Sequence, residues 1–93
     1  MKKKLDPLVS IIIRTKNEER WISRCIKKIL DQKYKNYEII IVDNYSTDNT
    51  IEKLSKFNVK KIVKIKKYLP GYAINKGIKE ADGEFCVILS AHC

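Results

Sequence analysis

Glycine and proline are scarce in this 93-residue chain, three and two respectively, and the scarcity removes several architectures. No G-x-G-x-x-G follows the first apolar segment and no G-x-x-x-x-G-K-[ST] occurs, so the dinucleotide fingerprint and the P-loop lose their main support. Histidine occurs once, at His92, and nothing forms a Ser-His-Asp or Cys-His nucleophile arrangement. The cysteines, Cys25, Cys86 and Cys93, are odd in number and include no C-x-x-C pair, which argues for buried cytosolic thiols over a disulfide framework or a zinc site. No segment approaches the ~18 apolar residues of a membrane span. The basic opening "MKKKLDPLVSIIIRTK" is interrupted at Asp6 and Pro7 and stops at Arg14, leaving no adequate h-region or cleavage site of a secretory signal. We therefore expect a cytoplasmic protein, with peripheral contact at the inner membrane face as the variant that its charge suggests.

What is present is the composition of a globular chain, 44% hydrophobic and 33% charged. The length suits one compact domain over residues 1–93 and is too short for two. Lys and Arg number 20 against 11 Asp and Glu, a formal charge of +9. Such an excess favours anionic partners, namely phosphate groups, nucleic acid or an acidic membrane, without choosing among them. Each single lysine is read as part of a solvated face.

"LVSIIIR" (8–14) is β-branched and almost continuously apolar, as a strand covered on both faces would be. Asn17 can cap a following helix, with Glu18 and Glu19 in its first turn. Trp21, Ile22, Cys25, Ile26, Ile29 and Leu30 recur at helical spacing to about Gln32. "YEIIIVD" (37–43) is a second buried strand, and "STDNTIEKLSKF" (46–57) opens with capping residues and aligns Ile51, Leu54 and Phe57 on one face. "KKIVKIKK" (60–67) is a lysine-rich strand, a composition that protects an exposed sheet edge. Residues 71–81 form a third helix, closed by Asp82 and Gly83, and "EFCVILS" (84–90) a fourth strand.

The resulting βαβαβαβ order implies an α/β fold with a mainly parallel sheet and right-handed crossovers, in strand order 3-2-1-4. Ligands of such sheets bind at the carboxyl ends of the strands where the order reverses, here the mouth between strands 1 and 4. The polar clusters "RTKNEE", "DNYSTD" and "SAHC" fall there. Helix capping accounts for Asn17, Ser46 and Asp48 as well as a ligand role does. It does not account for Asp43, whose carboxylate is placed to accept N–H donors from a nucleobase.

The blocks "VSIIIRTKNEERWISRCIKKILDQKYKNYEIIIVDNYSTDNTIEKL" and "GYAINKGIKEADGEFCVIL", with their spacing, resemble the family 2 glycosyltransferases over roughly residues 8–89. The resemblance implies the nucleotide-sugar-binding half of a GT-A fold, a three-layer Rossmann-like sandwich, truncated relative to family members. It puts Thr15, Asn17 and Glu18 in the loop after strand 1, Asp43 at the base, and Asn44 and Ser46 beside it. Gly71 would allow close backbone approach to the diphosphate, with Asn75 facing the site. Ile74 stands where many members have Arg, so Lys76 or Lys67 is the substitute cation. Ser90-Ala91-His92 stands where many members carry Asp-x-Asp for a divalent cation, Mn²⁺ or Mg²⁺. His92 is then the remaining metal ligand or a direct phosphate contact, and a metal-independent site is equally open.

The resemblance implies glycosyl transfer from a nucleotide diphosphate sugar to a glycan, lipid or protein acceptor. Family members continue past strand 4 with an acceptor-binding half and a general base. This chain alone is expected to be inactive, and no catalytic residue is assigned in it. Strand 4, lacking lysines, is expected to offer an edge for self-association. One rival is a non-catalytic nucleotide-binding or regulatory module. Another is a nucleic-acid binder, although no specific nucleic-acid partner is expected.

Overall fold

The computed structural model describes residues 7–66 and 70–91. Seven elements alternate: β1 (Val9–Thr15), α1 (Ile22–Asp31), β2 (Tyr37–Asp43), α2 (Thr50–Leu54), β3 (Lys61–Lys64), α3 (Pro70–Glu80) and β4 (Phe85–Ser90). The sheet runs β3-β2-β1-β4 with every pairing parallel, as the alternation of buried strands and helices requires. The β1–β2 register aligns Val9 with Tyr37 through to Thr15 with Asp43. The last residues of both central strands therefore sit side by side at the carboxyl end.

Period-two alternation distributes each central strand between two cores. Ile11 and Ile13 of β1 and Ile39 and Ile41 of β2 face one way, against Ile22, Cys25, Ile26 and Ile29 of α1 and Leu54 of α2. Ile12, Ile40 and Val42 face the other way, with Ala73 of α3 and Ile65. Three layers result. Gly77 brings α3 against the sheet so closely that a Cβ there would lie 2.4 Å from Cγ2 of Ile12 and 3.2 Å from Cγ2 of Val42.

Several expectations need correction. α1 starts at Ile22, after Trp21, with no side-chain cap, so Asn17, Glu18 and Glu19 belong to the loop before it. α2 has only five residues because 46–49 form a turn instead of its first turn. Gly83 does not close α3 in a left-handed conformation, since no described glycine has positive φ. Its lack of a side chain serves close packing, because a Cβ would lie 2.5 Å from Oγ of Ser10 and 2.7 Å from its amide nitrogen. Cys25 is buried, whereas Cys86 is an exposed thiol on the outer strand β4.

The two lysines that open the β3 segment are pinned by acids. Lys61 pairs with Glu80 at 2.7 Å, and Lys60 pairs with Asp82 and, at 3.2 Å, with Glu38. Glu38 also accepts from the Ser10 hydroxyl at 2.6 Å and the Asp82 amide at 2.7 Å, while Ser10 accepts from the Gly83 amide at 2.8 Å. This clasp ties β1, β2, β3 and the α3–β4 turn together at the amino end of the sheet. No helix among the described residues is long and apolar enough to cross a membrane.

Candidate nucleotide site

At the opposite end, Asp43 completes β2 and is fully buried. Its Oδ1 accepts from the Thr15 hydroxyl at 2.5 Å and the Ser46 hydroxyl at 2.6 Å, and its Oδ2 from the Ser46 amide at 2.8 Å. The carboxylate thus has the structural job that its position in the sequence did not suggest. It closes the turn after β2 and joins that turn to the end of β1, so it is not an unpaired acid.

Around this centre the two exit loops are laced reciprocally. The Asn17 amide donates to Oγ of Ser46 at 2.8 Å, and Oδ1 of Asn17 accepts from the amides of Thr47 at 2.7 Å and Asp48 at 3.3 Å. The Glu18 amide donates to Oγ1 of Thr50 at 2.7 Å and the Glu19 amide to Oδ2 of Asp48 at 3.2 Å. In return, Oε1 of Glu19 accepts from the Asn49 amide at 3.2 Å, and the Lys53 ammonium binds the Glu19 carbonyl at 2.7 Å. Asn17 has φ 52°, a conformation that its short amide tolerates, and the loop turns there without a glycine.

Asn44 extends the lacing toward β3. Its amide N–H donates to the Thr15 carbonyl at 3.0 Å. The carbonyls around its side chain assign the nitrogen toward Ile65, at 2.8 Å, and Lys66, at 3.3 Å. Lys16 binds the Asn44 carbonyl at 3.0 Å. Asp48 accepts from the amide of Thr50 at 2.9 Å and its hydroxyl at 2.5 Å. Burial pushes the Asp48 carboxyl up, but the Thr50 and Glu19 donors more than reverse this and hold it below its ordinary value of 3.8.

Thr15, Asn17, Glu18, Asp43, Asn44 and Ser46 are therefore brought into one constellation. Gly71 and Asn75 are not joined to it; both are exposed on α3, with nothing within 4 Å of a Cβ at Gly71. Lys76 leans back one turn, its ammonium 5.7 Å from the Tyr72 ring centroid, toward the amino end of α3. Lys67 and His92 lie outside the described residues. Sequence reasoning missed Thr50, although Asp-x-Thr before an apolar run is a legible capping signature. It also missed Tyr45, which has φ 45°, is 47% exposed and carries the Lys64 ammonium 5.5 Å from its ring centroid.

At the end of β4 the structure offers Ser90, exposed, and Ala91, buried. Among the described residues no three His, Cys, Asp or Glu side chains cluster in a way that could hold a metal ion. His92, the ligand that the resemblance implies, lies outside the described residues.

The chain is similar to a glucuronosyltransferase of Methanococcus voltae that acts on a dolichyl N-acetyl-glucosaminyl phosphate, with 41% identity covering 90% of this chain and 29% of that protein. It is also similar to the Escherichia coli glucosyltransferase WfgD, whose acceptor is a GlcNAc-diphosphoundecaprenol, with 37% identity over 92% of this chain and 35% of that protein. It thus spans about a third of each. Among solved structures, the mannosyltransferase PcManGT of Pyrobaculum calidifontis, in complex with GDP-Man and Mn²⁺, superimposes with TM-score 0.84 at 26% identity over 94% of this chain and 28% of that one. S. aureus TarS 1–349, in complex with UDP-GlcNAc, gives TM-score 0.81 at 26% identity over 89% of this chain and 26% of that one. Residues 10–93 match the family described as Glycosyl transferase family 2, and the chain belongs to that family.

Proposed function

We propose that the laced mouth at the ends of β1 and β2 binds the nucleoside diphosphate of a sugar donor. The sugar then passes to a lipid-linked saccharide at the cytoplasmic face of a membrane. The observation that carries the reading is the Thr15–Asp43–Ser46 centre, a buried carboxylate holding both exit loops at the carboxyl ends of β1 and β2, next to the β1/β4 switch point where open α/β sheets bind ligands. The lipid-linked acceptor is supported by the printed acceptors of the Methanococcus voltae and Escherichia coli relatives. As the chain spans about a third of those relatives, transfer itself is proposed of the longer architecture.

In this reading Asp43 accepts the imino N–H of the base. Oδ2 accepts one bond in the structure and keeps a lone pair, which the base reaches when the turn shifts to uncover it. Glu19 and Asp48 hold loop amides rather than accept a proton. Lys76 supplies positive charge for the departing diphosphate, in place of the cation that the Mn²⁺-bound PcManGT has. A nucleotide-binding module without catalysis is the second reading, favoured by Ser90 and Ala91 at the end of β4. We also propose that β4, with Phe85, Val87 and Ile88 exposed, is a self-association edge; a monomer by light scattering would remove that part.

Calorimetric titration with UDP, GDP and dTDP, each with and without Mn²⁺, tests the site. One nucleotide should bind, and Asp43→Asn should weaken it by about 1.5–3 kcal/mol, the range of a hydrogen bond to a charged group. Equal affinity in a folded variant would remove Asp43 from the base contact. Mn²⁺-dependent affinity would show that metal ligands complete the site.

A further inference from the structure

The basic excess is not spread evenly. Residues 20–35 hold Arg20, Arg24, Lys27, Lys28, Lys33 and Lys35 against one acid, Asp31, a net of five out of the chain's nine in sixteen residues. Helical periodicity explains the arrangement. Ile22, Cys25, Ile26 and Ile29 turn α1 toward the core, so Arg24, Lys27 and Lys28 are left on its outward face. Arg20, Ser23, Arg24, Lys27, Lys28 and Asp31 line one shallow groove along that face. The ion pairs found among the described residues involve Lys60 and Lys61, at the amino end of the sheet. None engages the α1 cations.

The partner follows from the shape of this charge. A small anion would need donors converging on a pocket, whereas these side chains are exposed and spread along a helix and the loop after it. That geometry matches an extended, nearly planar anion. The half-buried Trp21, with Arg20 above its ring at 5.6 Å, and Leu30, 45% exposed, flank the cations with the residue types that settle at a lipid–water boundary. We propose that the outward face of α1, with residues 33–35, is an adsorption surface for a membrane carrying anionic lipids. α1 begins at the mouth end of the sheet, so adsorption along its length sets the mouth beside the membrane. The proposal rests on the donor-site reading only for its purpose, which is delivery of a lipid-linked acceptor; adsorption itself needs no nucleotide.

Flotation with vesicles of phosphatidylcholine alone, and of phosphatidylcholine mixed with phosphatidylglycerol, tests it at low and high salt. The wild-type chain should float with the mixed vesicles only, and less at high salt. A basic side chain near an anionic surface is worth about a fivefold change in partitioning, so the triple variant Arg24→Gln, Lys27→Gln, Lys28→Gln should bind about a hundredfold more weakly. Lys56→Gln, Lys66→Gln, Lys79→Gln removes the same charge from exposed positions elsewhere and should bind nearly as the wild type does. Equal loss in both variants would overturn the proposal, as would absence of wild-type flotation. So would tighter binding of single-stranded RNA that only the α1 variant loses. Nucleotide titration of the same three proteins reads the donor site separately, so either reading fails alone.

Discussion

Tyr45 carries the least comfortable backbone described. The left-handed region costs most L residues roughly 1–2 kcal/mol, and Asn is among the few side chains that tolerate it. Tyr45 sits there at φ 45°, in the turn that Asp43 closes. Tyr45→Asn should therefore leave stability unchanged or raise it by up to about 1 kcal/mol, even though an exposed cation–π contact of about 0.5–1 kcal/mol with Lys64 is lost. Tyr45→Val, β-branched, should lower it by about 1–2 kcal/mol. Urea midpoints decide; a clear loss in the Asn variant would mean that the ring, not the backbone, governs the position. At this scale the sequence was half legible. The polar turn after an apolar strand marked Asp43, but its bonds to Thr15, 28 residues earlier, depend on the strand register and have no local signature.

Among the elements, α3 poses a contest between intrinsic preference and packing. In an exposed helix, replacing Gly by Ala gains about 1 kcal/mol. At Gly77 the new methyl would meet the branched Cγ2 of Ile12 at 2.4 Å, a group with no freedom to swing aside. Overpacking of this kind costs typically 1–3 kcal/mol, so Gly77→Ala should be destabilising on balance, and thermal unfolding of the variant checks the sign. Strand positions and sheet order were readable because β-branched runs and a lysine-rich edge carry their own periodicity and charge. Helix starts were not. Asn17, Glu18 and Glu19 look like a first turn, yet their amides are satisfied by Ser46, Thr50 and Asp48 from the other loop, which removes their need of a helix.

For the molecule as a whole, carboxyls held by hydrogen bonds at both ends of the sheet shape the response to acid. Burial pushes the Glu38 carboxyl up, but the Ser10 hydroxyl, the Asp82 amide and Lys60 together hold it below its ordinary value of 4.5. Asp48 is depressed in the same sense from 3.8. A carboxyl lowered by folding contributes its full stability above the unfolded value and loses it as pH falls through the lower folded one. Stability should thus be flat near neutrality and fall below about pH 4.5. Glu38→Gln should cost about 1–3 kcal/mol at pH 7 and flatten the acid limb, measured by denaturant unfolding across pH. An unchanged acid limb would assign the loss to other carboxylates.

The reciprocal lacing of the two exit loops has a kinetic and entropic side. Loops at a binding mouth ordinarily stay loose until a ligand orders them, and that ordering subtracts from affinity. Here the amides of Asn17, Glu18, Glu19, Ser46, Thr47 and Thr50 are already held by side chains of the same two loops. On the donor-site reading proposed above, much of the ordering of these loops precedes binding, and the part that has to move is the turn over Asp43, with the bonds of Ser46 to Asp43 and Asn17. On that reading, the disorder given up by the laced loops is charged to folding rather than to binding.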